Sequence, residues 1–100
     1  MSDKLEMGKK ELLTLKVMIR NWVKSYKRDY DGTDWSFSAD DLQEEIMQQV
    51  YPYVDRMYTT GYIDNVMVSE FSNWCTEQVE RLREDLKPNH WFSINGVASW

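Results

Sequence analysis

Between Lys9 and Arg28 the apolar residues Leu12, Leu15, Ile19, Trp22 and Tyr26 recur at intervals of three and four. That spacing places them on one face of a helix, expected over residues 9–29. Leu13, Val17, Met18 and Val23 widen the face, and Lys16, Arg20, Lys24 and Lys27 form a basic stripe on the opposite side. Residues 1–8 offer a further turn to this helix, with Ser2 as a candidate cap, though Gly8 is expected to weaken its continuity. A helix this apolar on one flank needs partners, which the rest of the chain must supply.

The same period returns at Leu42, Ile46 and Val50, with Met47 and Tyr53 alongside, and continues through Val54, Met57 and Tyr58. It predicts a second helix over residues 39–60, with Ser38 as its N-cap and Asp40, Asp41, Glu44 and Glu45 answering the positive end of its dipole. Before it, Trp35 and Phe37 read as anchors that pin a loop. Pro52 offers no N–H and disfavours helical geometry at Tyr51, so a kink or break is expected there, with Pro52 near a new first turn. Gly61 reads as a left-handed C-cap, with Tyr62 or Ile63 folding back onto the last turn. A third helix is expected over residues 65–86, capped by Asp64 or Ser69, with Val68, Phe71, Cys75, Val79, Leu82 and Leu86 on one face and Trp74 beside them. Pro88 stops it.

The period then changes. Asn95-Gly96 between short β-prone arms predicts a two-residue hairpin turn over residues 91–100, with Trp91 opposite Trp100. The expected fold class is therefore all-α: a small bundle of three long helices, the middle one kinked or broken at Pro52, with a short C-terminal β-hairpin. One hundred residues suffice for a single domain, 1–100, with one core.

Charge adds an asymmetry to this picture. Residues 1–28 carry eight Lys/Arg against three acids, a net of +5, whereas residues 29–100 carry four against fourteen, a net of −10. Packing the basic helix beside acidic ones would cancel most of that field internally. The N-terminus has no apolar run of the kind that begins a signal peptide, no stretch has the length of a membrane span, and a single cysteine permits no internal disulfide. A cytoplasmic chain with no membrane partner is expected.

Candidate chemistry is sparse. The only histidine, His90, and the only cysteine, Cys75, are too few for a zinc site, and Cys75 falls on an apolar helical face where an inert thiol is the rule. The run from Asp29 to Asp34 places Gly32 two positions too early for a calcium loop of the EF-hand type. The acids Asp40, Asp41, Glu44 and Glu45 read as a solvated helix face. No enzyme, no cofactor and no metal is expected.

What stands out is aromatic content. Tyr51, Tyr53, Met57, Tyr58 and Tyr62 cluster in a segment poor in charge, and Trp91, Phe92 and Trp100 follow in the tail. These residue types are enriched at the centres of protein interfaces. The expected function is a small acidic non-enzymatic binding protein acting through protein–protein contacts or self-association, with those eight residues as the partner-binding set. In character it resembles the small inhibitors of host macromolecules made by phages and mobile elements, and no family motif carries that resemblance. The alternative is a nucleic-acid-binding module using Lys16, Arg20, Lys24 and Lys27 against phosphates, which the acidic remainder disfavours.

Overall fold

A computed structural model describes residues 2–30 and 35–87. The chain forms α1 (Ser2–Asp29), α2 (Trp35–Glu45), a π-helical turn (Ile46–Val50), α3 (Tyr51–Thr59) and α4 (Asn65–Leu86). Because α2, the π turn and α3 follow one another without a gap, they make one rod, and the architecture is a three-helix bundle.

End-to-end contacts set the directions. At one end Lys4 Nζ of α1 donates to the carbonyl of Thr60 at 2.9 Å. At the other, Lys27 Nζ lies 2.7 Å from Asp85 of α4, and Arg83 of α4 lies 3.4 Å from Asp40 of α2. Thus α1 and α4 run the same way and the middle rod runs against both. The middle rod and α4 share the most extensive seam, over α2, and α1 packs across them.

This corrects the expected fold class. Every element among the described residues is helical and none is a strand, so a helical bundle replaces the helices-plus-hairpin expectation. The hairpin expected over residues 91–100 lies outside the described residues.

The middle helix also differs from expectation, and the difference has a physical cause. It starts at Trp35, so Ser38 is an interior residue rather than an N-cap, and Phe37 lies on the helix rather than in an anchoring loop. At Pro52 the expected irregularity takes the form of a widened turn rather than a gap in the helix. The proline ring would crowd the carbonyl four residues back, and it offers no N–H to bond it. The turn just upstream widens instead, and the Tyr51 N–H donates to the carbonyl of Ile46, five residues earlier. Pro52 then falls in the first turn of α3, where proline is tolerated. The wide turn also solves a packing problem. Buried Leu42, Ile46, Val50 and Val54 are spaced by fours, and each such step in a regular α-helix rotates the face by about 40°. Loosening the turn removes that drift and holds all four on the core.

The core draws on Leu12, Leu15 and Ile19 of α1, on Ala39 through Met57 of the middle rod, on Ile63, and on Phe71, Cys75, Val79 and Leu82 of α4. Leu42 and Leu82 are fully enclosed, and truncating either to alanine would cost about 2–5 kcal/mol. Trp22, Val23, Met18 and Tyr26 are only partly buried. Leu13 and Val17, expected to widen the core face of α1, are instead 61% and 53% exposed. A three-helix bundle gives α1 two neighbours, which leave Leu13 and Val17 largely uncovered.

Gly61 takes a φ of 87° and closes α3 in a Schellman arrangement, the Tyr62 N–H reaching the Met57 carbonyl at 2.9 Å and the Gly61 N–H that of Tyr58 at 3.2 Å. The chain then turns Ile63 into the core. Asp64 caps α4 by accepting from the Met67 N–H at 2.9 Å.

Candidate interaction surface

The seam between the middle rod and α4 closes tightly on the side facing α1 and stays open on the other. There the π turn carries Met47 outward, 54% exposed, above a hollow of about 140 Å³ floored by Ile46, Cys75 and Val79 and edged by Gln43, Thr76 and Glu80. The hollow continues past Tyr51 into a second of about 350 Å³, where Val54 and Val68 form the floor and Tyr58, Asp55 and Asn65 the walls. Tyr51 lines both and stands between them, so the two hollows lie end to end along the seam as the halves of one groove, and no residue of α1 lines either. Tyr58 is 42% exposed, and Val66, at the foot of α4, presents its side chain to solvent nearby in sequence. The floor is apolar. Its charged margin comprises Asp55, Glu80 and Asp40 against Arg83, which pairs with the last two.

Tyr51 is held at the centre of this groove. Its ring is half-buried, and its hydroxyl meets Ser72 and Cys75. Burial, and next the neighbouring Cys75, raise its pKa above the ordinary tyrosine value, with the Ser72 hydrogen bond opposing in part. Burial likewise pushes the Cys75 thiol up to about 12, and neither its hydrogen bond with Tyr51 nor the charge of Lys16 offsets that. The thiol is neutral at physiological pH, which suits it to packing and deprives it of the thiolate that nucleophilic chemistry requires.

On the opposite flank of α3 a further hollow is lined by Met7, Glu11, Tyr53, Met57 and Tyr62, among others. Its tyrosines are already engaged. The Tyr53 hydroxyl donates to Glu11 Oε1 at 2.9 Å, and Lys4 Nζ lies 5.2 Å from the centre of the Tyr62 ring. The aromatic set expected from sequence is thereby divided. Tyr51 and Tyr58 share the open groove, Tyr53 and Tyr62 lie across α3 beside α1, and Met57 is a core residue at 5% exposure. Trp91, Phe92 and Trp100 lie outside the described residues.

Met47 belongs to the open groove and was read from sequence only as a neighbour of the apolar face. Its prominence follows from the π turn, which no periodicity announces. The basic stripe of α1 finds partners on α4. Lys16 Nζ and the Arg20 guanidinium sit 5.3 and 5.5 Å from the centre of the Trp74 ring, and Lys27 pairs with Asp85. Lys24 points to solvent. The acids of α2 are similarly dispersed among separate partners. Tyr26 donates to Glu45 at 3.0 Å, Gln48 to Glu44 at 3.0 Å, and Arg83 reaches Asp40. Burial and then Glu45 raise the pKa of Tyr26 well above its ordinary value.

Among the described residues no three His, Cys, Asp or Glu side chains gather as a metal site, and no helix is long and apolar enough to cross a membrane. Comparison with protein-family models, with curated proteins and with solved structures finds no match for this chain.

Proposed function

We propose that this chain is a non-enzymatic binding protein that acts by occupying another protein through the groove between the middle rod and α4. The observation behind this reading is that groove: two apolar hollows on either side of Tyr51, beside exposed Met47 and Tyr58, with no residue of α1 lining either. Two antiparallel helices with an open apolar seam offer the geometry in which a third, amphipathic helix is captured. Met and Tyr are apt at its margin, since a flexible thioether and a rigid amphipathic ring give contact area at low cost in ordering. A π turn in the wall fits the same reading, because such turns occur often at functional sites. Occupation of a host macromolecule, as a small phage or mobile-element inhibitor would perform it, is the form this function takes.

Wild-type protein and a Met47→Lys/Tyr58→Lys variant, each immobilised in a host lysate, test the proposal. The expected result is a protein retained by the first and lost from the second, with equal retention by a Lys24→Glu variant. Equal retention by wild type and groove variant would overturn it.

The nucleic-acid alternative draws less support. Three of its four residues, Lys16, Arg20 and Lys27, are engaged with Trp74 or Asp85. If α1 does track phosphates, affinity for DNA or RNA falls by a log–log slope of about 0.7–0.9 per contact as salt rises, and Lys24→Glu weakens it. We expect no such binding at physiological salt.

A further inference from the structure

Two of the exposed apolar surfaces are complementary to each other and lie on opposite sides of the bundle. One is the groove just described, apolar within and net acidic at its margin, with Asp55 on its wall and, at one end, Glu80 and Asp40 sharing the single charge of Arg83. The other is the outer side of α1. Leu13 and Val17, one turn apart and 61% and 53% exposed, lie away from Leu15 and Ile19, which face the core, and Leu13 also edges a hollow toward Met67 and Phe71 of α4. Lys10 and Lys24 flank them, both exposed, while Arg20 lies alongside with its guanidinium turned over Trp74 of α4. This is a short apolar stripe with basic borders on a long helix. It matches the groove in shape, a single convex helix for a concave seam, and in charge.

We infer that a second copy of this chain occupies the groove, head to tail, with the Leu13–Val17 stripe of one molecule seated on Met47, Tyr51 and Tyr58 of the next. The inference rests on the binding-protein reading and names the occupant of the same groove. Charge selects this arrangement over the symmetric one. Two grooves placed face to face would bring together two net-acidic margins, Asp55 of each copy included, and two α1 stripes would oppose Lys10 and Lys24 of each, whereas stripe on groove pairs opposite signs. Because stripe and groove are different patches on opposite sides, each added copy leaves one of each free, so the contact is heterologous and continues beyond a dimer unless it closes into a ring. Two apolar anchors in a shallow seam make a small contact. Assembly is accordingly weak, concentration-dependent and sensitive to salt.

Sedimentation of the full chain, with two variants that each block one surface, tests this. Leu13→Glu/Val17→Glu puts acid on the stripe and leaves the groove intact; Met47→Lys/Tyr58→Lys puts base in the groove and leaves the stripe intact. All four positions are at least 42% exposed, and wild-type helicity and melting in each variant confirm that only the surface has changed. The wild type is expected to rise in weight-average mass past that of a dimer between micromolar and millimolar concentration, and to lose the increase in high salt. Each variant alone is expected to stay monomeric. An equimolar mixture of the two is expected to form a 1:1 complex and nothing larger, because only one stripe and one groove remain to meet. A wild type that is monomeric throughout, a variant that still self-associates, or a mixture that forms no complex would each overturn the head-to-tail contact. If the wild type is monomeric yet retains a foreign protein that the groove variant loses, only the second-copy occupant falls. If the groove variant loses nothing, the binding-protein reading falls with it.

Discussion

Gly8 of α1 lies directly against the carbonyl of Tyr62. A Cβ built on Gly8 would fall well inside contact with that oxygen and 2.8 Å from Ile63 Cγ2. The two residues lock the start of α1 to the turn between α3 and α4, and the absence of a side chain is what permits the approach. Lys4 completes the junction from one turn earlier, donating to the Thr60 carbonyl and covering the Tyr62 ring.

Gly8→Ala is therefore expected to destabilise the protein by about 1–3 kcal/mol, the usual range for overpacking, since the obstructing atom is backbone and cannot swing aside. On helix propensity alone the same change would stabilise by about 1 kcal/mol. The two effects have opposite signs, so a denaturant midpoint decides between them. A midpoint at or above that of the wild type would mean that α1 does not seat on the turn.

The π turn gives a second expectation. Leu42, Ile46, Val50 and Val54 stay on one face because the turn between them is one residue too long for a regular helix. Deleting exposed Gln48 should let that turn relax to ordinary α geometry while Val50 and Val54 keep facing the core. Deleting exposed Asn73 from the regular stretch of α4 should rotate everything beyond it by about 100° and strip Cys75, Val79 and Leu82 from the core. Melting by circular dichroism should show a cooperative transition in the first deletion and none in the second. Equal damage from both would refute the role given to the π turn.

The two ends of α4 and α2 give a third. Asp64 accepts from the Met67 N–H, so Asp64→Ala should cost about 1 kcal/mol. Ser38, now inside α2, caps nothing, and Ser38→Ala should stay within about 0.5 kcal/mol. Chemical denaturation of the two variants side by side checks the contrast.

These cases mark where the bundle was legible in the sequence. Leu12, Leu15 and Ile19, or Phe71, Cys75, Val79 and Leu82, announce their helices because spacings of three and four have one geometric meaning. Gly61 and Asp64 announce a turn because each performs a local task that few residues perform. Gly8 was misread because its reason is a backbone segment more than fifty residues away. Pro52 announces the first turn of α3, where it sits, but not the widened turn upstream that relieves its strain. Leu13 and Val17 were drawn into the core because periodicity fixes direction but not how much of a helix its neighbours cover. The same gap explains the tyrosines. Composition located Tyr51 through Tyr62 as an interface-like segment, but which side of α3 each ring faces depends on the π turn just before it.

Titration of Cys75 and its neighbour Tyr51 supplies the last expectation. Burial holds the Cys75 thiol at about 12 in the folded chain, against an ordinary value of 9.0. An acid whose folded pKa is raised favours the fold while protonated. The contribution is complete below about pH 9, where neither state ionises, and is lost as pH climbs through the interval up to 12, where the unfolded chain ionises first. For one group the slope is about 1.4 kcal/mol per pH unit. Tyr51 and Tyr26, both raised above 10.0 mainly by burial, act with the same sign but begin a unit later. Urea midpoints of the wild type should thus hold steady from pH 7 to about 9 and then fall. In Cys75→Ala, which leaves a small void and starts lower, the midpoint should stay level until about pH 10, where the tyrosines take over. The diagnostic is the pH at which decline begins, since a cavity lowers the whole curve without moving that point. Identical onsets in the two proteins would mean that the thiol is open to water, and the floor of the groove would have to be redrawn around it.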